Sequence, residues 1–285
     1  MKKNLVSIIV LTYNHELFIN QSLKSIINQS YKYWEAIIID DGSTDNTIKL
    51  IKKITKSDKR FRLFSQENKG IFNLDKNYNK ALHFCKNELI AVLEGDDFWP
   101  NDKLQKQVEC FMKNEKIGLV WGGGTEYYSR NKKVYVKGYD FNYNYKILHN
   151  IKIGSIFKHI VFNRLMNMPS CSVMYRKSAL LDIGGFYQPK FCEWLDRPTW
   201  ALLALTHQFY YIDENLCYYR KHPKQITHNY RLRSQKFTFE LCLQDENCPV
   251  LLKSELNKLG FYIFFYSSLR RIKLFTLTAL KKLFS

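Results

Sequence analysis

Residues 5–11 (LVSIIVL) form an apolar, β-branched run between polar segments, the pattern of a strand buried on both faces. Beyond it, Ile19, Leu23, Ile26 and Ile27 recur at i, i+4, i+7 and i+8, one face of a helix. The alternation then repeats. Residues 34–39 (WEAIII) predict a second strand, closed by Asp40-Asp41-Gly42-Ser43, and a helix follows with Ser43 or Asp45 as its N-cap and Ile48, Ile51 and Ile54 facing inward. Residues 61–64 give a third strand, 74–85 a third helix and 88–93 (ELIAVL) a fourth strand ending in Glu94-Gly95-Asp96-Asp97. A helix with Leu104, Val108, Phe111 and Met112 on one face and Pro100 near its start leads to a fifth strand at 117–121. Strand and helix alternating at these lengths predict right-handed crossovers and a mostly parallel sheet with helices on both faces.

After residue 121 the pattern blurs. Gly122-Gly123-Gly124 reads as a flexible hinge, and the stretch to residue 167 has no clean period. Order returns with a strand at 171–175, a short helix at 177–183 stopped by Gly184-Gly185, a helix at 197–206, two strands at 209–212 and 216–220, and helical sequence from 230 onward. This divides the chain into a domain over 1–228, made of halves at 1–121 and 122–228, and a helical extension at 229–285.

Composition narrows the class. Of 285 residues, 46% are hydrophobic and 25% charged, enough to bury a core and too apolar for a disordered chain. The longest uncharged stretch, 259–269, falls short of the roughly 18–20 apolar residues that span a bilayer. The apolar run near the N-terminus stops at Thr12-Tyr13-Asn14 with no small-residue cleavage site behind it, so it reads as a strand and not a secretion signal. Seven scattered cysteines make no CxxC pair and signal neither zinc nor a disulfide framework; reduced thiols in the cytoplasm are the simple reading. A net charge of +18 suits nucleic acid, an anionic membrane or a phosphorylated substrate, unless it is only a lysine-rich background.

The acids are more specific than the bases. Ligands of open parallel sheets bind beyond the carboxyl ends of the strands, and two of those ends carry paired acids, Asp40-Asp41 and Asp96-Asp97. Either pair alone reads as turn-forming or capping aspartate. Two at equivalent topological points suggest that one accepts from a base or ribose while the other holds a magnesium or manganese ion on a diphosphate. No G-x-G-x-x-G follows the first strand and no G-x-x-x-x-G-K-[ST] occurs, so neither a dinucleotide fold nor a P-loop is indicated.

The segments 7–14 (SIIVLTYN), 39–44 (IDDGST), 68–82 (NKGIFNLDKNYNKAL) and 93–99 (LEGDDFW) resemble the inverting family-two glycosyltransferases of the GT-A fold. Residues 172–177 (SVMYRK), 184–186 (GGF), 196–200 (DRPTW) and 219–222 (YRKH) fit the same family, so the resemblance covers about residues 4–225. It implies an α/β GT-A fold and donor contacts from Thr12, Tyr13 at the nucleoside, Asp40, Asp41 on the uracil ring N–H, Lys76 in place of the family's arginine, Glu94, Asp96 on the ribose, and Arg220. It implies a manganese or magnesium ion held by Asp97 and His222, though a lone histidine is equally often a packing residue. Glu94 departs from aspartate at the first position of the family's D-x-D-D pattern. Asp196 matches the base that deprotonates the acceptor hydroxyl, with Glu193 the runner-up and helix capping a compatible role. Trp194, Trp200, Phe186 and Trp99 are candidate acceptor-facing aromatics or simply core.

These readings imply a metal-dependent inverting transferase that moves a sugar from a nucleoside-diphosphate donor, a UDP-sugar first, to a hydroxyl of a glycan or lipid-linked oligosaccharide in bacterial surface polysaccharide synthesis (capsule, O-antigen or lipooligosaccharide). A nucleotidyltransferase acting on a sugar phosphate is the first rival, but it needs a glycine-rich loop after the first strand. A nucleic-acid-binding module is the second; acids clustered at strand ends are the wrong sign for it. Arg270, Arg271, Lys281 and Lys282 share one arc of a C-terminal helix opposite Ile272, Phe275, Leu280 and Phe284. That arc reads as an interfacial helix on anionic lipid or as a packed helix with a solvated basic face. The first reading places the protein peripherally on the cytoplasmic face of the inner membrane.

Overall fold

The structure, a computed structural model, describes residues 5–130, 133–138, 152–162, 168–223, 225 and 234–260. The apolar runs of the first half are strands β1 (Val6–Thr12), β2 (Trp34–Asp40), β3 (Phe61–Ser65) and β4 (Leu89–Glu94). The amphipathic segments are helices α1 (Ile19–Ile27), α2 (Thr47–Thr55), α3 (Leu74–Phe84) and α4 (Lys103–Lys113). Successive strand side chains point to opposite faces, and both faces are covered. Ile8 and Val10 share a core with Ile38, Leu23 of α1, Ile51 of α2 and Leu104 of α4. Ile9 shares the other with Ile37, Ile39 and Tyr78, Ala81 and Leu82 of α3. Each fully buried isoleucine contributes about 1.5–3 kcal/mol, which is why these strands are apolar at consecutive positions.

The second half supplies β5 (Ile117–Arg130), β6 (Lys133–Gly138), α5 (Phe157–Val161), β7 (Met174–Arg176), α6 (Lys177–Asp182), α7 (Asp196–Ala204), β8 (Gln208–Lys221), α8 (Ser234–Gln244) and α9 (Val250–Lys258). One eight-stranded sheet runs β3-β2-β1-β4-β7-β5-β6, with β8 also paired to β5. β1 is parallel to β2 and β4, β2 to β3, and β5 to β8. The short β7 is antiparallel to both β4 and β5. β1 to β5 and β8 therefore all point one way, and their carboxyl ends gather on one edge of the sheet.

Three expectations are corrected. Gly122–Gly124 is no hinge: it lies inside the 14-residue β5. A Cβ on Gly122 would stand 2.6 Å from the Leu216 side chain, and one on Gly124 2.6 Å from Pro169, so these glycines answer to close packing. The two strands expected at 209–212 and 216–220 are one, β8, whose pairing with β5 slips between Gly122 and Gly124. The slip lets Asp213 and Glu214 bulge into solvent without ending the strand. The strand expected at 171–175 is confined to β7, because residues Ser170–Ser172 close a 3₁₀ turn.

Local capping also differs. α2 begins at Thr47, and Asp45 stands just outside it, its Oδ1 accepting the Thr47 N–H (2.9 Å) and hydroxyl (2.5 Å). Met112, expected on the inward face of α4, is 59% exposed. Among the described residues no helix is long and apolar enough to cross a membrane. The basic arc at 270–282 lies outside the described residues.

Candidate active site

At the end of β1, Thr12 pairs in register with Asp40 of β2, and its neighbour Leu11 with Glu94 of β4. Asp40 is fully buried and accepts the Ser43 N–H (3.0 Å) and hydroxyl (2.6 Å), so its carboxylate is spent on its own turn. Asp41 is half-buried and turns the other way. It accepts from Gln66 Nε2 (2.8 Å) and from the Lys69 N–H (3.2 Å), while its own N–H donates to Thr12 O (2.9 Å). Tyr13, next along, is 46% exposed beside this turn. Lys76, on the first turn of α3, is exposed and donates to Asn73 Oδ1 at 2.6 Å.

β4 ends in Glu94, whose Oε1 accepts the Tyr78 hydroxyl at 3.0 Å. Burial and the nearby Asp96 raise the Glu94 carboxyl above its usual range. The glycine that follows is required: a Cβ on Gly95 would meet His15 Nδ1 at 2.7 Å and Thr12 Oγ1 at 2.8 Å. Asp96 then faces two imidazoles, with its Oδ2 3.0 Å from His222 Nε2 and 4.0 Å from His15 Nε2. Burial pushes the Asp96 carboxyl up, but the His15 charge and the His222 hydrogen bond outweigh it and hold it below the usual range. Asp97 points inward and is 1% exposed; its Oδ1 accepts the Arg220 N–H at 2.8 Å. Burial, with Asp96 and Glu94 adding to it, pushes the Asp97 carboxyl well up.

The end of β8 is tied to this turn by mutual backbone hydrogen bonds between Tyr218 and Phe98 (2.8 and 3.3 Å). Arg220 was expected on the donor, but its groups are taken by the protein. Nε donates to Asp96 O (2.7 Å), Nη2 to Gln21 Oε1 (2.7 Å), and the guanidinium lies among the Phe18, Phe98 and Tyr127 rings. Lys221 pairs with Glu126 at 3.2 Å. The His222 side chain reaches the Asp96 carboxylate, and its ring packs on Phe18 at 4.4 Å.

Asp196 opens α7 close to Glu94, Tyr78 and Tyr175. Burial, reinforced by the Glu94 charge, raises its carboxyl to about 7. Glu193 Oε2 and Trp194 Nε1, just before it, are buried atoms with no hydrogen-bond partner. Phe186 and Trp200 are core residues instead: both are buried, Trp200 donates its indole N–H to the Tyr175 hydroxyl at 2.8 Å, and Phe186 packs on Tyr78 at 4.9 Å. Trp99 is buried as well and donates to Cys171 O at 2.7 Å.

The sequence profile described as Glycosyl transferase family 2 matches residues 7–184. The chain belongs to that family. Among its curated relatives is the Escherichia coli UDP-Glc:alpha-D-GlcNAc-diphosphoundecaprenol beta-1,3-glucosyltransferase WfgD, 35% identical over 172 residues, 59% of this chain and 64% of that protein. Two further relatives are covered over less than half their length. The fold is that of the mannosyltransferase PcManGT from Pyrobaculum calidifontis, solved with GDP-Man and Mn2+ (TM-score 0.62, 20% identity, 92% of this chain and 72% of that one). It is also that of Staphylococcus aureus TarS solved with UDP-GlcNAc (TM-score 0.60, 18% identity, 85% and 67%). These neighbours establish the GT-A architecture of the chain.

Two groups in this family-2 chain could take a cation, and their donors differ. Ligand atoms of Glu94, Asp97 and Cys171 lie within 4.8 Å of one another. That group is closed off, two of its members being buried, and it mixes a soft thiol with carboxyls that burial raises above their usual range. Asp96 with His222 offers a carboxylate oxygen and an imidazole nitrogen 3.0 Å apart at the carboxyl edge of the sheet, one donor of each kind that divalent metals accept. His15 went unread in the sequence because a lone histidine in a turn carries no spacing signal; its position directly after Thr12-Tyr13-Asn14 was the available clue.

Proposed function

We propose that the chain is an inverting glycosyltransferase, moving a sugar from a nucleoside-diphosphate donor to a hydroxyl of a bacterial surface glycan. The observation that carries this reading is the contact between Asp96 and His222. It joins residues 126 positions apart at the carboxyl edge of a GT-A sheet, where ligands of such sheets bind. Asp41, Tyr13 and Thr12 line the nucleoside side, with Asp41 accepting from the base. Asp96 and His222 would hold the cation, in place of the Asp97 and His222 pair expected from sequence. A divalent ion there supplies Lewis-acid stabilisation of the charge that gathers on the departing diphosphate.

Asp196 acts as the base. Its carboxyl titrates at about 7, so near neutrality it is both ionised in good part and basic enough to take the acceptor proton. As that proton leaves, the acceptor oxygen attacks the anomeric carbon from the side opposite the diphosphate, which inverts the configuration. Glu193 Oε2 and Trp194 Nε1, buried without partners, are suited to hydroxyls of the acceptor sugar. The half at 1–121 serves the donor and the half at 122–228 the acceptor.

WfgD is named for a UDP-Glc donor and a diphosphoundecaprenol-linked acceptor, and one TarS structure contains UDP-GlcNAc. These favour a UDP-sugar and a lipid-linked acceptor, and with them work at the cytoplasmic face of the membrane. The test is a panel of UDP-, GDP- and dTDP-sugars with manganese, reading released nucleoside diphosphate and the anomeric configuration of the product by NMR. Diphosphate release from a UDP-sugar and an inverted product are expected. A product of retained configuration, or no manganese-dependent binding of any donor, overturns the reading.

A further inference from the structure

We infer that Gln188 is the positioning residue that sets Asp196 against the donor, its one amide tying the segment that meets Asp41 to the segment that carries the base. The inference rests on Asp196 being that base and on Asp41 lying beside the nucleoside. The two acids belong to distant stretches of chain, and their separation has to be fixed: a misplacement of about 1 Å can lower a transfer rate about a hundredfold.

Gln188 is 7% exposed and commits both amide hydrogens and its oxygen. Nε2 donates to Ile71 O (2.8 Å) and to Cys192 O (2.6 Å), and Oε1 accepts the Asp75 N–H (3.2 Å). Ile71 begins a 3₁₀ turn, Ile71–Asn73, and Asp75 lies in the first turn of α3, so two of these contacts reach back 117 and 113 positions along the chain. Just before that turn, the Lys69 N–H donates to Asp41, and the Lys69 carbonyl accepts from Asn73 Nδ2 at 2.8 Å. One side of the Gln188 amide is thus bonded to the turn that contacts Asp41.

The other side holds a strained turn. Cys192 closes it, its N–H donating to Pro189 O at 3.1 Å. Within it Phe191 has φ 61°, a left-handed conformation that bulky side chains avoid. Such a residue costs about 1–3 kcal/mol and persists only where its surroundings hold it. Gln188 supplies a hold on the carbonyl just beyond Phe191, and α7 opens soon after with Asp196. The Tyr187 N–H donates to Thr199 Oγ1 at 3.0 Å, and the Thr199 hydroxyl donates to Leu195 O at 2.9 Å, which joins the start of this segment to α7. Asn79 of α3 bonds both backbone groups of Phe186 at 2.8 Å and anchors the segment where it begins. Gln188 anchors it at the turn nearer the base.

The test follows donor hydrolysis, in which water stands in for the acceptor. Asp196 takes a proton from the water, the water oxygen bonds the anomeric carbon, and the diphosphate leaves with the electron pair of the broken bond. The full-length protein with manganese is given UDP-glucose, UDP-GlcNAc and GDP-mannose in turn, and released nucleoside diphosphate is measured. Gln188→Ala is expected to lower kcat about tenfold to a hundredfold while the donor KM changes less than about twofold. Gln188→Asn keeps a buried amide one methylene too short to bridge the two segments; the same loss is expected, and it carries the test if the alanine variant does not fold. Combining either variant with Asp196→Asn distinguishes positioning from packing. A group that acts through the base adds nothing once the base is gone, so the double variant should match Asp196→Asn within about twofold. Losses that multiply, a kcat within about twofold of wild type, or a donor affinity that falls as far as kcat each overturn the inference. Asp196→Asn alone separates the two levels. If it abolishes turnover while the Gln188 variants keep the wild-type kcat, the Gln188 inference alone fails. If it turns over normally, or if the wild type releases diphosphate from none of the three donors, the base assignment fails and the inference with it.

Discussion

Asp40-Asp41 and Asp96-Asp97 follow β2 and β4, the two strands that flank β1, on the same edge of the sheet, and each pair turns one carboxylate into the packing and the other away from it. In the first, the leading residue is buried on its own turn and the second faces outward. In the second the order is reversed: Asp96 meets His222, and Asp97 is buried on the Arg220 N–H. Adjacent side chains leaving a strand point to opposite sides, so a pair of acids can send only one of its members to the ligand. Which one depends on where the chain turns. Asp40 is still in register with Thr12, whereas Asp96 follows Gly95, whose N–H is bonded back to Leu11 O at 2.8 Å. In each pair, then, one acid serves the packing of its turn and the other is the one left to the proposed ligand.

The largest effect expected lies outside both pairs and provides the scale for them. Asp196→Asn should lower transfer about 10²–10⁴-fold with donor affinity unchanged, as measured by turnover and by titration calorimetry. In the wild type, transfer should rise with pH through about 7, because the base acts only when ionised and its carboxyl titrates there. A pH-independent rate between 6 and 8 would move the base elsewhere.

Within the first pair the two residues should separate cleanly. Asp40→Ala leaves the Ser43 N–H and hydroxyl without their buried acceptor and should cost about 1–3 kcal/mol in chemical denaturation. Asp41→Ala should leave stability within about 0.5 kcal/mol and weaken UDP-sugar binding about tenfold, since a hydrogen bond to a charged group contributes about 1.5–3 kcal/mol. A large stability loss in both variants would erase the division of roles. A change no larger than that of Asp40→Ala is expected from Gly95→Ala, whose Cβ pushes on His15 and Thr12. It should destabilise by about 1–3 kcal/mol at most and lower manganese-dependent donor affinity more than affinity for UDP alone.

The strands of the first half were legible because doubly buried strands are apolar at consecutive positions, and the helices because one face is apolar. The second half was harder for identifiable reasons. Gly122 and Gly124 carry the signature of a flexible joint, yet the pressure on them comes from Leu216 and Pro169, which are distant in sequence. Asp213 and Glu214 look like a strand break, but the sheet absorbs them as a bulge. At the site, the residue types and their strand ends were readable: Asp96 meets His222 at 3.0 Å, and Asp196 opens α7 near Glu94. The proposed exchange of Asp96 for Asp97 was not readable, since it depends on the direction of one turn. Arg220 was misjudged for a related reason: its sequence neighbours suggest a free cation, whereas Asp96, Gln21 and three aromatic rings enclose it.

Comparing Asp96→Asn with Asp97→Asn tests the account most directly. Titrating UDP into each variant with and without manganese reads out whether the outward carboxylate or the inward one serves the cation. Burial raises the Asp97 carboxyl well above its usual range, and an amide oxygen can take its place on the Arg220 N–H, so that variant should keep manganese-enhanced UDP binding within about threefold of wild type. Asp96→Asn should lose the enhancement altogether. The opposite result, with the enhancement surviving in Asp96→Asn and vanishing in Asp97→Asn, would contradict the geometry on which the proposed function stands.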